Sequence, residues 1–214
     1  MEMKYKILIV ALLNTYCFLA NADNYNSYVK AESGVSIFSK LKSQNYSDKP
    51  NSTMHLHLSV GRKISNSFHV ELHSYNNYSK YQEIKKDTLY NQDFETHAGF
   101  VNVTYDIGKY NIATPFITAG LGMSFNKTYT LQAMGGNNGI RGGESNFSPA
   151  YSIGIGTKVS ISPTSDMVFG YKYMNLGLAT TGADLSARSG SSFATPIKAK
   201  ITHQTLSVGM IYRF

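Results

Sequence analysis

Apolar side chains recur at every second position in segment after segment of this chain, a period that strands satisfy and helices do not. Met54, Leu56, Leu58 and Val60 share one face of such a segment, and His55, His57, Ser59 and Gly61 share the other. Phe68, Val70 and Leu72 likewise oppose His69, Glu71 and His73. Further on, Ile117, Ala119, Leu121, Met123 and Phe125 oppose Thr118, Gly120, Gly122 and Ser124. Tyr151, Ile153, Ile155, Val159 and Ile161 then oppose Ser152, Gly154, Gly156 and Lys158. About eight segments qualify as tilted spanning strands, near 28–39, 53–63, 67–76, 96–107, 114–126, 148–161, 167–176 and 199–214.

Alternation alone leaves open which face is outside, because a soluble lipocalin-like barrel has the same period with an apolar interior. The connections discriminate. Those at 63–66, 108–111 and 162–166 are short, and those near 40–52, 77–95, 127–147 and 177–198 are long. Short turns at one end and long loops at the other are the outer-membrane pattern. The polar face is rich in glycine and small residues, as a narrow lumen requires. Tyr105, Phe68, Phe169, Tyr212 and Phe214 close the apolar face toward the short turns, and Phe125, Tyr151 and Tyr173 close it toward the loops, as two interfacial girdles would. No apolar stretch after Ala22 reaches the roughly 20 residues of a spanning helix. The expected fold is all-β: a single eight-stranded antiparallel transmembrane β-barrel with short periplasmic turns and long extracellular loops.

The N-terminus reads as a signal peptide. Lys4 and Lys6 precede the apolar run Ile7 to Leu13, and Ala20-Asn21-Ala22 closes the segment with small residues. The expected division is residues 1–22 as signal peptide and 23–214 as the barrel domain. Cys17 is the only cysteine and falls in the segment to be removed, so disulfides, thiolate metal sites and cysteine nucleophiles leave together. Lipid anchoring is not expected with Tyr16 before the cysteine. At the other end Leu206, Val208, Met210, Tyr212 and Phe214 form an unbroken alternate row. A closing strand of that kind, with Tyr212 and Phe214, resembles the assembly signal of outer-membrane barrels.

An inward register puts Lys30, Glu32, His55, His57, His69, Glu71, His73, Asp106, Lys158, Lys172, His203 and Arg213 in the lumen. Buried charge is tolerated when paired, so a web of ion pairs and histidine contacts is expected, with no wide pore. His55, His57, His69 and His73 sit at two-residue spacing on neighbouring strands and are candidate metal ligands. Lumen positions are polar in any case, and a hydrogen-bonded network is the preferred reading of the four. Nucleophile motifs such as Gly-x-Ser-x-Gly are missing, and the Gly139–Gly143 cluster lacks a phosphate-cradle ending. The chain is expected to be no enzyme and to carry no cofactor.

The long connections are net basic and interleaved with tyrosines. Lys40, Lys42, Lys49, Lys80, Lys85, Lys86, Arg141 and Arg188 are the candidate partner-binding residues. The segment 1–22 holds Lys4 and Lys6 against Glu2, so the remainder keeps about +6 of the formal +7. Basic, aromatic loops suit acidic partners. A merely solvated charged loop explains them too.

Phe116-Ile117-Thr118-Ala119-Gly120-Leu121-Gly122, Tyr151-Ser152-Ile153-Gly154-Ile155-Gly156, Tyr171-Lys172-Tyr173 and Leu206-Ser207-Val208-Gly209-Met210-Ile211-Tyr212-Arg213-Phe214 resemble the opacity-type family of small outer-membrane barrels. The resemblance implies a bacterial outer-membrane location and a surface adhesin or antigen. The partners expected are outer-membrane lipid and lipopolysaccharide, the barrel assembly machinery, and host-surface or matrix glycoproteins, with no nucleic acid. A small porin and a purely structural barrel are the alternatives.

Overall fold

The structure is a computed structural model and describes residues 26–38, 41–43, 46–48, 53–85, 88–129, 131–135, 139–180 and 198–214. Twelve strands occur among them: β1 (Ser27–Phe38), β2 (Leu41–Ser43), β3 (Tyr46–Asp48), β4 (Thr53–Lys63), β5 (Phe68–Lys85), β6 (Thr88–Asp106), β7 (Ala113–Thr128), β8 (Leu131–Gly135), β9 (Gly139–Arg141), β10 (Ser145–Ser162), β11 (Ser165–Thr180) and β12 (Lys198–Arg213). There is no helix among the described residues. The wall runs β1-β4-β5-β6-β7-β10-β11-β12, and β12 pairs back onto β1, so the sheet closes as an eight-stranded antiparallel barrel. Closure removes the free edges that an open sheet would expose. The proposed signal segment, residues 1–22, lies outside the described residues.

The predicted faces hold. Leu121 is 75% exposed and Met54 77%, while His57 and His73 are each 1% exposed. Ile153, Ile155, Leu206, Val208 and Met210 continue the outward apolar belt around the wall. All twelve residues assigned to the lumen face inward, ten fully buried and Asp106 and Arg213 half-buried at the short-turn end. Aromatic pairs mark the belt's edges: Phe68 with Tyr105 at 4.9 Å, and Tyr151 with Tyr173 at 6.5 Å. Phe147, absent from the expected upper girdle, packs on Phe125 at 5.0 Å.

The short turns are tied locally. Ser65 Oγ accepts from the Phe68 amide, Tyr110 and Ala113 exchange backbone bonds around Asn111 at φ 57°, and Pro163-Thr164 links Ser162 to Ser165. The opposite end departs from expectation. Residues 77–85 and 88–95 are strand and not loop: β5 and β6 stay paired from Phe68↔Tyr105 to Lys85↔Thr88. At roughly 3.3 Å per residue β5 runs about 60 Å, far beyond an apolar band about 25 Å tall. Above the belt the outward face turns polar, with Asn76, Tyr78, Glu95 and His97 on it, so apolar alternation disappears while backbone pairing persists. The connections at 40–52 and 127–147 also hold short strands: β2 pairs β3, and β8 pairs β6 and β9.

A second departure concerns the lumen, which is not uniformly polar. Tyr75, Ala98, Phe100, Ala150, Met174, Leu176, Ala179 and Ile201 form a buried apolar layer toward the long-loop end. Tyr28, Phe116, Val168 and Ile211 form a smaller one toward the short turns. The β11 ladder shifts register between Asn175 and Leu178, where Gly177 takes φ +75°, and this bulge turns Leu176 inward. Ser124 and Asn126 cap the bulge by donating to the Leu176 carbonyl at 2.5 and 2.7 Å.

Candidate functional site

Between the two apolar layers lies a polar stratum built by β1, β4, β5 and β11. Lys30 Nζ donates to Glu71 Oε2 at 2.7 Å and stands 3.5 Å from Glu32. The Tyr28 hydroxyl donates to Glu71 Oε1 at 2.7 Å, and Ser207 Oγ to Glu32 Oε1 at 3.1 Å. Paired charge is the form in which ionised groups persist inside a protein. One step higher, His55 stacks on His57 with ring centroids 4.3 Å apart, and His57 meets His73 edge-on at 4.7 Å. Ser36 contacts His55 Nδ1 at 3.0 Å, Ser59 contacts His73 Nδ1 at 2.8 Å, and Tyr75 contacts His203.

Of the four histidines singled out by spacing, three converge and one does not. His69 faces inward at the short-turn end, 2.9 Å from Asp106, which also accepts from Lys158 at 2.6 Å. Distance along the strand separates it from the others: β5 carries His69 two residues below Glu71 and four below His73, opposite Lys63 where His73 stands opposite Ser59. Glu32, absent from the sequence-based set, takes its place: it stands opposite His57 in the β1–β4 register. Only cross-strand register could have found it, since Glu32 is remote from the histidines in sequence.

The short-turn end opens into a charged vestibule of about 740 Å³ lined among others by Tyr28, His69, Asp106, Lys158, Asp166 and Arg213. Asp166 and Arg213 pair directly there.

At the other end the outward face changes from apolar to polar above Leu72 and Val101. His97 bridges Asn76 Oδ1 at 2.7 Å and Glu95 Oε1 at 2.8 Å. Tyr129 donates to Glu95 at 2.6 Å, and Tyr78 donates to Asp93 at 2.6 Å. The Tyr129 hydrogen bond holds the Glu95 carboxyl below its ordinary range, with His97 adding to the effect. The Asp93 carboxylate accepting from Tyr78 pushes that phenol up to about 12. Of the basic candidates, Lys42 lies on β2, Lys80 and Lys85 on β5, and Arg141 on β9. Lys40, Lys49, Lys86 and Arg188 lie outside the described residues.

No protein-family model matches the chain, and no curated protein does. Solved structures match along nearly its whole length. Neisserial surface protein A aligns with a TM-score of 0.58 at 17% identity, covering 88% of this chain and 97% of that one. Outer membrane protein OprG from Pseudomonas aeruginosa aligns at 0.56 and 11%, covering 90% and 98%. A major outer membrane protein from Thermus thermophilus aligns at 0.56 and 11%, covering 88% and 99%. At these identities the likeness is one of fold. The apolar belt has lipid hydrocarbon as its natural solvent, because a closed barrel satisfies every backbone group within its own wall. The barrel sits in the bacterial outer membrane.

Proposed function

We propose that the chain is a surface adhesin or antigen of opacity type, in which a rigid membrane barrel holds basic segments outside the cell toward acidic host or matrix glycoproteins. The observation carrying this reading is the asymmetry of the two ends. One is closed by tight turns. The other raises the β5–β6 ladder clear of the belt, with Lys80 and Lys85 on its strand and Lys42 and Arg141 on neighbouring short strands. The filled lumen supports display over conduction. Lipopolysaccharide is the nearest acidic surface for these segments, and the barrel assembly machinery is the route of insertion, with Tyr212 and Phe214 as its signal. Residues 1–22 are removed on export.

The test is binding of the purified protein to host cells and to sulfated glycans as salt is raised. Electrostatic capture weakens steeply as the Debye length shrinks from about 10 Å at 0.1 M toward 3 Å at 1 M. Charge-neutralising Lys80→Gln, Lys85→Gln and Arg141→Gln together are expected to reduce binding at least tenfold. Salt-independent binding, or binding untouched by these changes, overturns the reading.

A further inference from the structure

We propose that the polar stratum of the lumen is a binding site for one divalent transition ion of zinc type, held by Glu32, His57 and His73. Three adjacent strands, β1, β4 and β5, supply one side chain each, and one ligand atom from each lies within 4.8 Å of the others. All three residues are at least nine-tenths buried. Neither ring nitrogen of His57 has a hydrogen-bond partner, and Glu32 Oε2 makes no hydrogen bond, although Lys30 Nζ stands 3.5 Å away. A doubly unpartnered imidazole in a dry interior is costly. An ion at this point satisfies it.

The surrounding groups fit that role. Ser59 holds His73 through Nδ1, which turns the ring's other nitrogen toward the site, as outer contacts of metal-bound histidines do. Two imidazoles and a carboxylate form a donor set that first-row ions such as zinc accept, with solvent completing a tetrahedron. Glu32 Oε2 and His57 Nδ1 are 3.9 Å apart. Metal–ligand bonds of about 2.0–2.1 Å put two tetrahedral donors roughly 3.4 Å apart, so this pair closes by about half an ångström and the set as a whole by up to about 1.4 Å. Lys172 is the competitor: its ammonium stands 3.5 Å from His73 Nε2, on the coordinate that the ion would use. Metal binding therefore displaces Lys172 from His73 while Lys30 stays on Glu71.

The experiment is equilibrium dialysis and calorimetry with Zn2+, and visible absorption with Co2+, on untagged protein purified from membranes into detergent. His97→Gln serves as the control for the exposed imidazole, and heat-modifiable gel mobility checks folding throughout. One Zn2+ per folded chain and the intense visible bands of tetrahedral Co2+ are expected. His57→Gln and His73→Gln each weaken binding by at least about 100-fold, the upper end of what loss of a mere orienting contact brings, His69→Gln leaves it unchanged, and Lys172→Met tightens it. Folded wild-type protein that takes up no Zn2+ overturns the proposal. So do His57→Gln and His73→Gln proteins that bind as the wild type does.

Discussion

Single residues carry the interior's energetics, and Glu71 carries the most. It accepts from both Tyr28 and Lys30 in a layer shut off from water. Removing one partner of a buried pair strands the other, at a cost of about 3–5 kcal/mol, whereas replacing both by apolar side chains of similar volume is nearly neutral. Glu71→Ala is expected to lower barrel stability by that amount in urea titrations in lipid vesicles, and Lys30→Met with Glu71→Leu to recover most of it. If the double variant is as weak as the single one, the pair does not act as a unit. Glu95 at the outer rim makes a pH prediction. Its carboxyl is held low by Tyr129, so the contact stabilises the rim fully above the ordinary carboxylate range and is lost as pH falls through the lowered value. Amide protection of the upper β6 strand should drop across that acid window and stay flat in Glu95→Gln. Glycine at position 61 bears on the same pair: a side chain there would begin 2.3 Å from the Tyr28 ring. Gly61→Val therefore displaces Tyr28 and, with it, the hydrogen bond to Glu71.

Elements differ in how far alternation reveals them. It delimits residues 53–63 unaided, and they form β4 with those bounds, because lipid on one side and a narrow polar lumen on the other impose opposite chemistry on successive residues. The same rule fails above the belt. There the outward face of β5 and β6 is polar, as at Asn76, Tyr78, Glu95 and His97, and their pairing rests on backbone hydrogen bonds that need no apolar period. It also fails for Tyr75, Phe100, Met174 and Leu176, lone large residues on a face otherwise polar or small, whose meeting depends on register between strands distant in sequence. The candidate site is half legible for this reason: histidine spacing picks out His57 and His73, but not Glu32 opposite His57. The upper β5–β6 ladder is built as an extension and not as part of the closed wall. Deleting residues 79–92 and joining the strands should leave heat-modifiable mobility and the unfolding midpoint unchanged while removing salt-dependent cell binding. A lost barrel would show that the ladder also supports the wall.

The whole molecule is a cylinder stoppered above and below a charged middle. Stoppers of this kind leave no continuous water path through Phe100, Met174 and Leu176, all essentially inaccessible. Planar-bilayer recordings should show no steady conductance for the wild type and a measurable current for Phe100→Ala with Leu176→Ala; steady wild-type current would contradict the packed lumen. Closure of the wall has a temporal side. The seam joins strands from opposite ends of the described chain, with Ser207 reaching Glu32 across 175 positions. Chain contacts that distant form late and slowly, since loop-closing entropy must be met before they reward it. Until that seam forms the unfinished wall is thus a horseshoe whose gap β12 fills, and the Glu32 carboxylate on its first arm waits, without the Ser207 hydroxyl, until the two arms meet.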